Sequence, residues 1–224
     1  MDQHVLKTYF DLIPLFASEG FHLYLVGGAV RDYLLGLQPD DFDLATDATP
    51  EQMMEFLPDA KITFARFGNV QFSFNHQLFD VTTLRKEGDY RDLRHPSKVH
   101  FVQNISEDYQ RRDFTINALY LSEDGKIHDF TTGISDLANG IIRMIGDPLI
   151  RLKEDPLRIL RALRLQVTYG FKLEESLKEA MRELSHLVSR LTPAKINCEI
   201  MRMEEIDKEK TQQLLLRFGL KSRY

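Results

Sequence analysis

Four segments of this 224-residue chain carry side chains whose types and spacing could do chemistry. The first is Asp41-Phe42-Asp43, within DFDLAT, whose alternation predicts a strand. Residues i and i+2 of a strand point to one face, so two carboxylates project side by side. Such like charges repel unless a cation joins them, which suits a hard divalent metal bound through oxygen. An acidic surface strand is the other reading. Asp80, in FDVTT, falls on a later strand. It could complete a three-carboxylate cluster, or simply be exposed beside a buried face carrying Phe79 and Val81.

The second segment is LVGGAVRD, residues 25–32. A strand that stops at Gly27-Gly28 and restarts as a helix leaves backbone N–H groups facing outward, and glycine lets an anion approach them. Arg31, about one turn on, could clamp a phosphate with its fork of donors; a plain strand-turn-helix is the alternative. The third is RRDFTINAL, residues 111–119. Arg111 and Arg112 offer planar donors for phosphate or base. Asp113 can accept from a ribose hydroxyl. Asn117 shares the Asp113 face if the stretch is helical; a capped basic helix start would look the same. The fourth is EDPLRILRALR, residues 154–164. On a helix Ile159, Leu160 and Leu163 pack together. Asp155, Arg158, Arg161 and Arg164 then occupy the other side, as a solvated face or as a recognition surface of one acid and three guanidiniums.

These residues need elements to position them. The apolar spacing of Val5, Leu6, Tyr9, Phe10, Leu12, Ile13 and Phe16 predicts a helix over 3–19 ending near Gly20. LYLV at 23–26 reads as a buried strand, and Thr49-Pro50-Glu51 as a helix start. Strands are expected at 61–66, 69–75 and 77–84, a mobile polar loop at 85–98, and a hairpin turning at Asp124-Gly125. Beyond Gly146-Asp147-Pro148 glycine becomes rare and helical periodicity persists. The expectation is an α+β chain: a mixed domain over 1–146 and a small helical domain over 147–224.

Charge divides the same way. Residues 1–150 hold 13 Lys+Arg against 23 Asp+Glu, and residues 151–224 hold 16 against 11. An acidic front suits carboxylates gathered around cations, and a basic back suits contact with phosphates. The single Cys198 excludes an internal disulfide framework and a cysteine-built zinc site. No apolar run approaches the ~20 residues of a membrane span, and the N-terminus does not read as a signal peptide. The expected setting is cytoplasmic, with no membrane partner.

Taken in order, LVGGAVRDYLLG, DDFDLATDATPEQ, FDVTTLR, EGDYRDLRHPSKVHFV, RRDFTINALYL, DFTTGISDLANGIIRMIGDP and EDPLRILRALRL resemble the class II tRNA nucleotidyltransferase and bacterial poly(A) polymerase family over roughly residues 20–172. The resemblance implies a polymerase-β-like nucleotidyltransferase head with a mixed sheet, followed by an all-helical neck. It implies two Mg²⁺ ions held by Asp41 and Asp43, with Asp80 helping to activate an RNA 3′-hydroxyl. Gly27, Gly28 and Arg31 would hold the triphosphate, and Arg112 and Asp113 the sugar-phosphate side, supported by Arg111 and Asn117. Asp155 and Arg158 would read the base: aspartate only accepts and arginine only donates, which fits C and A and mismatches U and G. Arg161 and Arg164 would reach the triphosphate or the RNA end.

The implied reaction adds C or A from CTP and ATP to a tRNA 3′ end, with poly(A) polymerase as the alternative. The 85–98 loop resembles the one associated with A addition. Typical members run far longer, and their neck segment with an E-R pair is replaced here by Leu191-Thr192-Pro193-Ala194-Lys195-Ile196. A homodimer or a separate helical RNA-binding partner is therefore expected.

Overall fold

The structure is a computed structural model that describes residues 6–39, 42–88 and 96–223. Asp41 and the centre of the 85–98 loop lie outside the described residues. The backbone gathers into two compact units. One holds the described residues through 88 with Lys98–Arg112 and Ile116–Ile134; the other holds Pro96 and Ser97, Asp113–Thr115 and the described residues from 135 onward.

The first unit is built on a seven-stranded mixed sheet. Its strands are β1 (Leu23–Val26), β2 (Asp43–Thr46), β3 (Lys61–Phe64), β4 (Asn69–Phe74), β5 (Gln77–Thr83), β8 (Leu119–Leu121) and β9 (Ile127–Asp129), in the order β3-β4-β5-β2-β1-β8-β9. Only β2 and β5 run parallel; the other pairs are antiparallel. β6 (Arg85–Glu87) and β7 (Val99–Phe101) form a separate antiparallel pair. The start of the expected mobile loop is thus a strand, because the backbone of Arg85–Glu87 pairs with that of Val99–Phe101 just beyond the loop's other end.

Side chains alternate between faces with period two, so adjacent registers have different characters. One row across all seven strands reads Ile62, Val70, Val81, Leu44, Leu25, Leu121, Ile127, and its five central members are almost fully buried. Each such side chain stabilises the fold by about 1.5–3 kcal/mol. α1 (Lys7–Ala17) buries Tyr9, Leu12 and Phe16 on one face, and the Tyr9 hydroxyl donates to the carbonyls of Leu23 and Leu121. Phe16 meets Phe56 and Phe72 edge to face. α2 (Gly28–Leu34) follows β1 directly. α3 (Pro50–Phe56) starts with the expected geometry: Thr49 and Gln52 close a capping box, and Pro50 occupies the first turn. α4 (Ile105–Asp108) adds Ile105 to a smaller cluster with Val26, Ala45, Leu84 and Tyr120.

The second unit is mainly helical. α5 (Gly133–Asn139) leads through β10 (Ile141–Ile142) to α6 (Pro148–Glu154) and α7 (Leu157–Tyr169). α7 ends at Gly170, whose φ of 72° is the left-handed cap that glycine adopts without strain. β11 (Lys172–Leu173), α8 (Glu175–Leu184), α9 (Pro193–Ile206) and α10 (Lys208–Arg217) complete it. α7 packs on α9 and α10, and β10 pairs parallel with β11. No helix among the described residues is long and apolar enough to cross a membrane.

Candidate functional site

The row adjacent to the apolar one carries the chemistry. It reads Lys61, Gln71, Asp80, Asp43, Val26, Tyr120, His128, one residue from each strand of the sheet. The Asp43–Asp80 step follows from the parallel pair Leu44–Val81, one residue earlier on each strand. Two exposed carboxylates therefore stand on neighbouring strands, about 4.8 Å apart in backbone, on one face. Gln71 Nε2 donates to Asp80 Oδ1 at 3.3 Å.

The Gly27-Gly28 turn abuts this pair. Gly27 has φ 73° and ψ −135°, a region reserved for glycine, and a Cβ there would sit 2.8 Å from Asp43 Oδ2. A Cβ at Gly28 would sit 3.2 Å from the Arg31 NH2. The first glycine thus makes room for a carboxylate and the second for a guanidinium. Arg31 is 8% exposed; its fork donates to Asn117 Oδ1 at 2.5 Å and to the carboxylate of Asp32.

Arg111 and Arg112 meet at a buried anion that the sequence reading missed. Asp108 is fully buried and accepts from the Arg85 backbone N–H, Arg111 Nε, Arg112 NH2 and the Tyr120 hydroxyl. Arg112 Nε donates to the same hydroxyl at 2.7 Å, and its guanidinium lies over the Tyr120 ring, 4.9 Å from the centroid. Burial pushes the Asp108 carboxyl up, but the two guanidiniums hold it well below the usual carboxylate range. Burial alone would lower Arg112; Tyr120, Asp108 and the more distant Asp43 together leave it raised. The only sequence signal for this anchor was an acid three and four residues before paired arginines, helical spacing for an ion pair.

Residues 111–119 are not a helix of the kind that would set Asp113 and Asn117 on one face. Phe114 bridges to Met144, the Ile145 N–H donates to the Asp113 carbonyl, and only Thr115–Asn117 makes a single tight turn. Asp113 and Asn117 consequently do not share a helix face: Asn117 partners Arg31, whereas Asp113 belongs with Arg161. Backbone pairing with the 142–145 strand-like segment competes with helix formation and wins.

The fourth segment also differs from expectation. Asp155 precedes α7 rather than riding on it, in extended conformation between α6 and α7, because Pro156 disfavours helical geometry in the residue before it. Its Oδ1 caps the Leu157 N–H at 3.0 Å. The three arginines are not a solvated face, since each meets an acid. Arg158, 5% exposed, donates to Glu154 and to the Arg151 carbonyl. Arg161 grips Asp113 with both Nε and NH2 at 2.7 Å, and Arg164 Nε reaches Glu199 at 2.8 Å. The Asp113 charge raises Arg161 further above its ordinary range.

Asp43 and Asp80 fit a hard divalent cation: both are carboxylates, both are exposed on one face, and the missing Cβ of Gly27 adds no methyl against Asp43 Oδ2. Among the described residues no group of three His, Cys, Asp or Glu is placed to hold a metal; the expected trio includes Asp41, outside them.

The mixed sheet thus carries paired carboxylates beside a double-glycine turn and a basic anchor. The chain belongs to the family described as the poly(A) polymerase head domain, whose model matches residues 23–143. A CCA-adding enzyme of Lactobacillus helveticus is 41% identical over 186 residues, 83% of this chain and 47% of that protein. The Bacillus stearothermophilus CCA-adding enzyme in complex with CTP superposes with a TM-score of 0.89 at 31% identity, covering 98% of this chain and 53% of that one. The Thermotoga maritima CCA-adding enzyme complexed with tRNA CCA gives 0.79 at 25% identity, covering 98% and 52%. The chain spans about half the length of the curated relatives it matches. Nucleotidyltransferases of this kind generally use divalent metal ions.

Proposed function

We propose that this chain is the nucleotide-transferring part of a metal-dependent RNA 3′-terminal nucleotidyltransferase, adding C and A to tRNA 3′ ends from CTP and ATP with release of pyrophosphate. The observation that carries the reading is the register that sets Asp43 beside Asp80, one strand from the Gly27 turn. Its relatives named as CCA-adding enzymes, one of them solved with CTP and one with tRNA CCA, support the choice of substrates.

On this reading residues 1–146 form the head and 147–224 the neck, and the protein works in the cytoplasm. Asp41 and Asp43 would hold two Mg²⁺ ions, which would lower the hydroxyl pKa and neutralise the leaving charge. Asp80 accepts the proton of the RNA 3′-hydroxyl as its oxygen attacks the α-phosphorus; the bond to the pyrophosphate oxygen breaks. Gly27 and Gly28 keep the backbone close to the triphosphate, and Arg31, fixed by Asn117 and Asp32, points its fork at it. Arg112 and Arg111, anchored on Asp108, steady the sugar-phosphate side together with Asp113. Asp155 and Arg158 select the base: C and A offer an amino donor beside a ring-nitrogen acceptor, and U or G leaves both groups mismatched at a cost of ~1–3 kcal/mol each. Arg161 and Arg164 attract the triphosphate or the RNA end.

The deciding assay is primer extension with Mg²⁺ on tRNA lacking CCA, tRNA ending in CC, and oligo(A), with each triphosphate alone. CMP and AMP should enter the tRNAs, and UMP and GMP should not. Efficient extension of oligo(A) by ATP would favour a poly(A) polymerase instead, and no incorporation on any primer would defeat the reading. Asp43→Ala should abolish transfer while leaving the fold intact; Asp155→Ala should relax the C/A preference.

A further inference from the structure

The reactive row extends past Asp80 to the edge of the sheet, and its outer half has had no role so far. Gln71 on β4 and Lys61 on β3 continue it. The register of β3 against β4 shifts between Ile62 and Phe64, so that Phe64 pairs with Asn69. Asn69 pairs with Thr82, two residues from Asp80 and hence on the same face. Without the shift, alternation from Lys61 would turn Phe64 to the opposite face. This bulge re-aims an aromatic ring onto the reactive face, a known use of bulges beside active sites. Phe64 is 64% exposed, far more than a core-seeking aromatic needs to be, and Lys61 is exposed with no acidic partner among the described residues. The platform beyond Asp80 therefore offers one cation, one open ring and a row of amides.

Position selects the occupant. Gly28 and Arg31 after β1, assigned to the triphosphate, and Arg112 on Tyr120 of β8, assigned to its sugar-phosphate side, lie on the β1–β8 side of Asp43. A 3′-hydroxyl in line with the α-phosphorus must then come from the other side, over Asp80. We propose that β3 and β4 seat the 3′-terminal nucleotide of the RNA primer: Lys61 takes its phosphodiester, Phe64 stacks on its base, and Gln71 is a positioning residue that occupies Asp80 Oδ1 and leaves the other oxygen for the hydroxyl. The assignment rests on the transfer reaction proposed above. An amide serves better than a cation at position 71, because it orients the carboxylate without neutralising it.

The test uses the full chain, CTP with Mg²⁺, and an RNA minihelix ending at the discriminator base. Lys61→Ala and Phe64→Ala, both at exposed positions, should keep the parent's thermal unfolding midpoint. Each should raise the KM for the minihelix at least about fivefold and leave the KM for CTP within twofold. Lys61→Ala should also flatten the slope of log KM against log salt by about 0.7, the signature of one lost phosphate contact on a single strand. Gln71→Leu should lower kcat about tenfold with both KM values unchanged. A minihelix KM within twofold of the parent in both platform variants would overturn the proposal even though transfer itself stands. If the parent transfers nothing, the transfer reading fails separately, and photo-crosslinking decides this one. A minihelix tipped with 4-thiouridine should then label the peptide spanning residues 61–74, and labelling only elsewhere would refute the seat.

Discussion

Tyr120→Phe removes a single oxygen from the centre of the basic anchor and leaves everything else in place. The ring keeps its burial and its contact with the Arg112 guanidinium. Two hydrogen bonds disappear: the one the hydroxyl donates to Asp108 Oδ2 at 2.6 Å and the one it accepts from Arg112 Nε at 2.7 Å. Both involve a charged partner, and such bonds are each worth about 1.5–3 kcal/mol. The full sum overstates the loss. Asp108 retains the Arg85 N–H, Arg111 Nε and Arg112 NH2, and Arg112 stays paired to Asp108. The net destabilisation should be about 2 kcal/mol, read from urea unfolding as a lower midpoint at unchanged slope.

A pH signature accompanies it. Asp108 titrates below its unfolded value of about 3.9, so its stabilisation is present above that pH and disappears as pH falls through the depressed folded value. The Tyr120 hydrogen bond is one cause of the depression, so in the variant the acid-side loss should begin at the same pH but be smaller and level off at a higher pH. A midpoint shift worth less than about 0.5 kcal/mol, with an unmoved acid limb, would show that the hydroxyl is a bystander and refute the anchor.

Other expectations follow from the same geometry. Gly27→Ala forces a glycine-only backbone region and drives a methyl into Asp43 Oδ2; it should cost about 1–3 kcal/mol in thermal unfolding and abolish primer extension. Asn117→Ala removes the NH1 acceptor that helps hold the Arg31 fork and should raise the KM for CTP about tenfold, measured at saturating primer, with little change in the KM for RNA. Asp113→Ala strips Arg161 of its two-pronged partner, but Arg161 is 39% exposed, so calorimetry should show a loss nearer 1–2 than 4 kcal/mol. His22 is raised chiefly by its hydrogen bond to Asp47, so its pairing stabilises fully below pH 6.5 and fades as pH rises through the folded value. His22→Ala should therefore destabilise more at pH 5.5 than at pH 8.5, by under about 1 kcal/mol given its exposure.

Local signals in the sequence determined the elements and the candidate residues. Alternation placed β4 and β5, turn residues placed the β8–β9 hairpin, and Thr49-Pro50 fixed the start of α3, because each depends on neighbours within a few positions. The spacing of Asp41 and Asp43 and the double glycine were legible for the same reason. What lay beyond reach was pairing across distance. Nothing near Asp80 says that β5 docks parallel to β2 in the register that sets Asp80 beside Asp43; that register depends on burying Leu44 and Val81 in one row. Asp108 stood unremarked in the sequence, because only the fold brings Tyr120, twelve residues on, and Arg85, twenty-three back, over it. Whether Asp113 and Asn117 share a helix face stayed open, because local spacing cannot register the 142–145 backbone that pairs with Asp113–Thr115. The sequence by itself chose which groups could do chemistry. Tertiary packing decided which of them meet, since a one-residue slip in any strand would carry its carboxylate to the other face of the sheet.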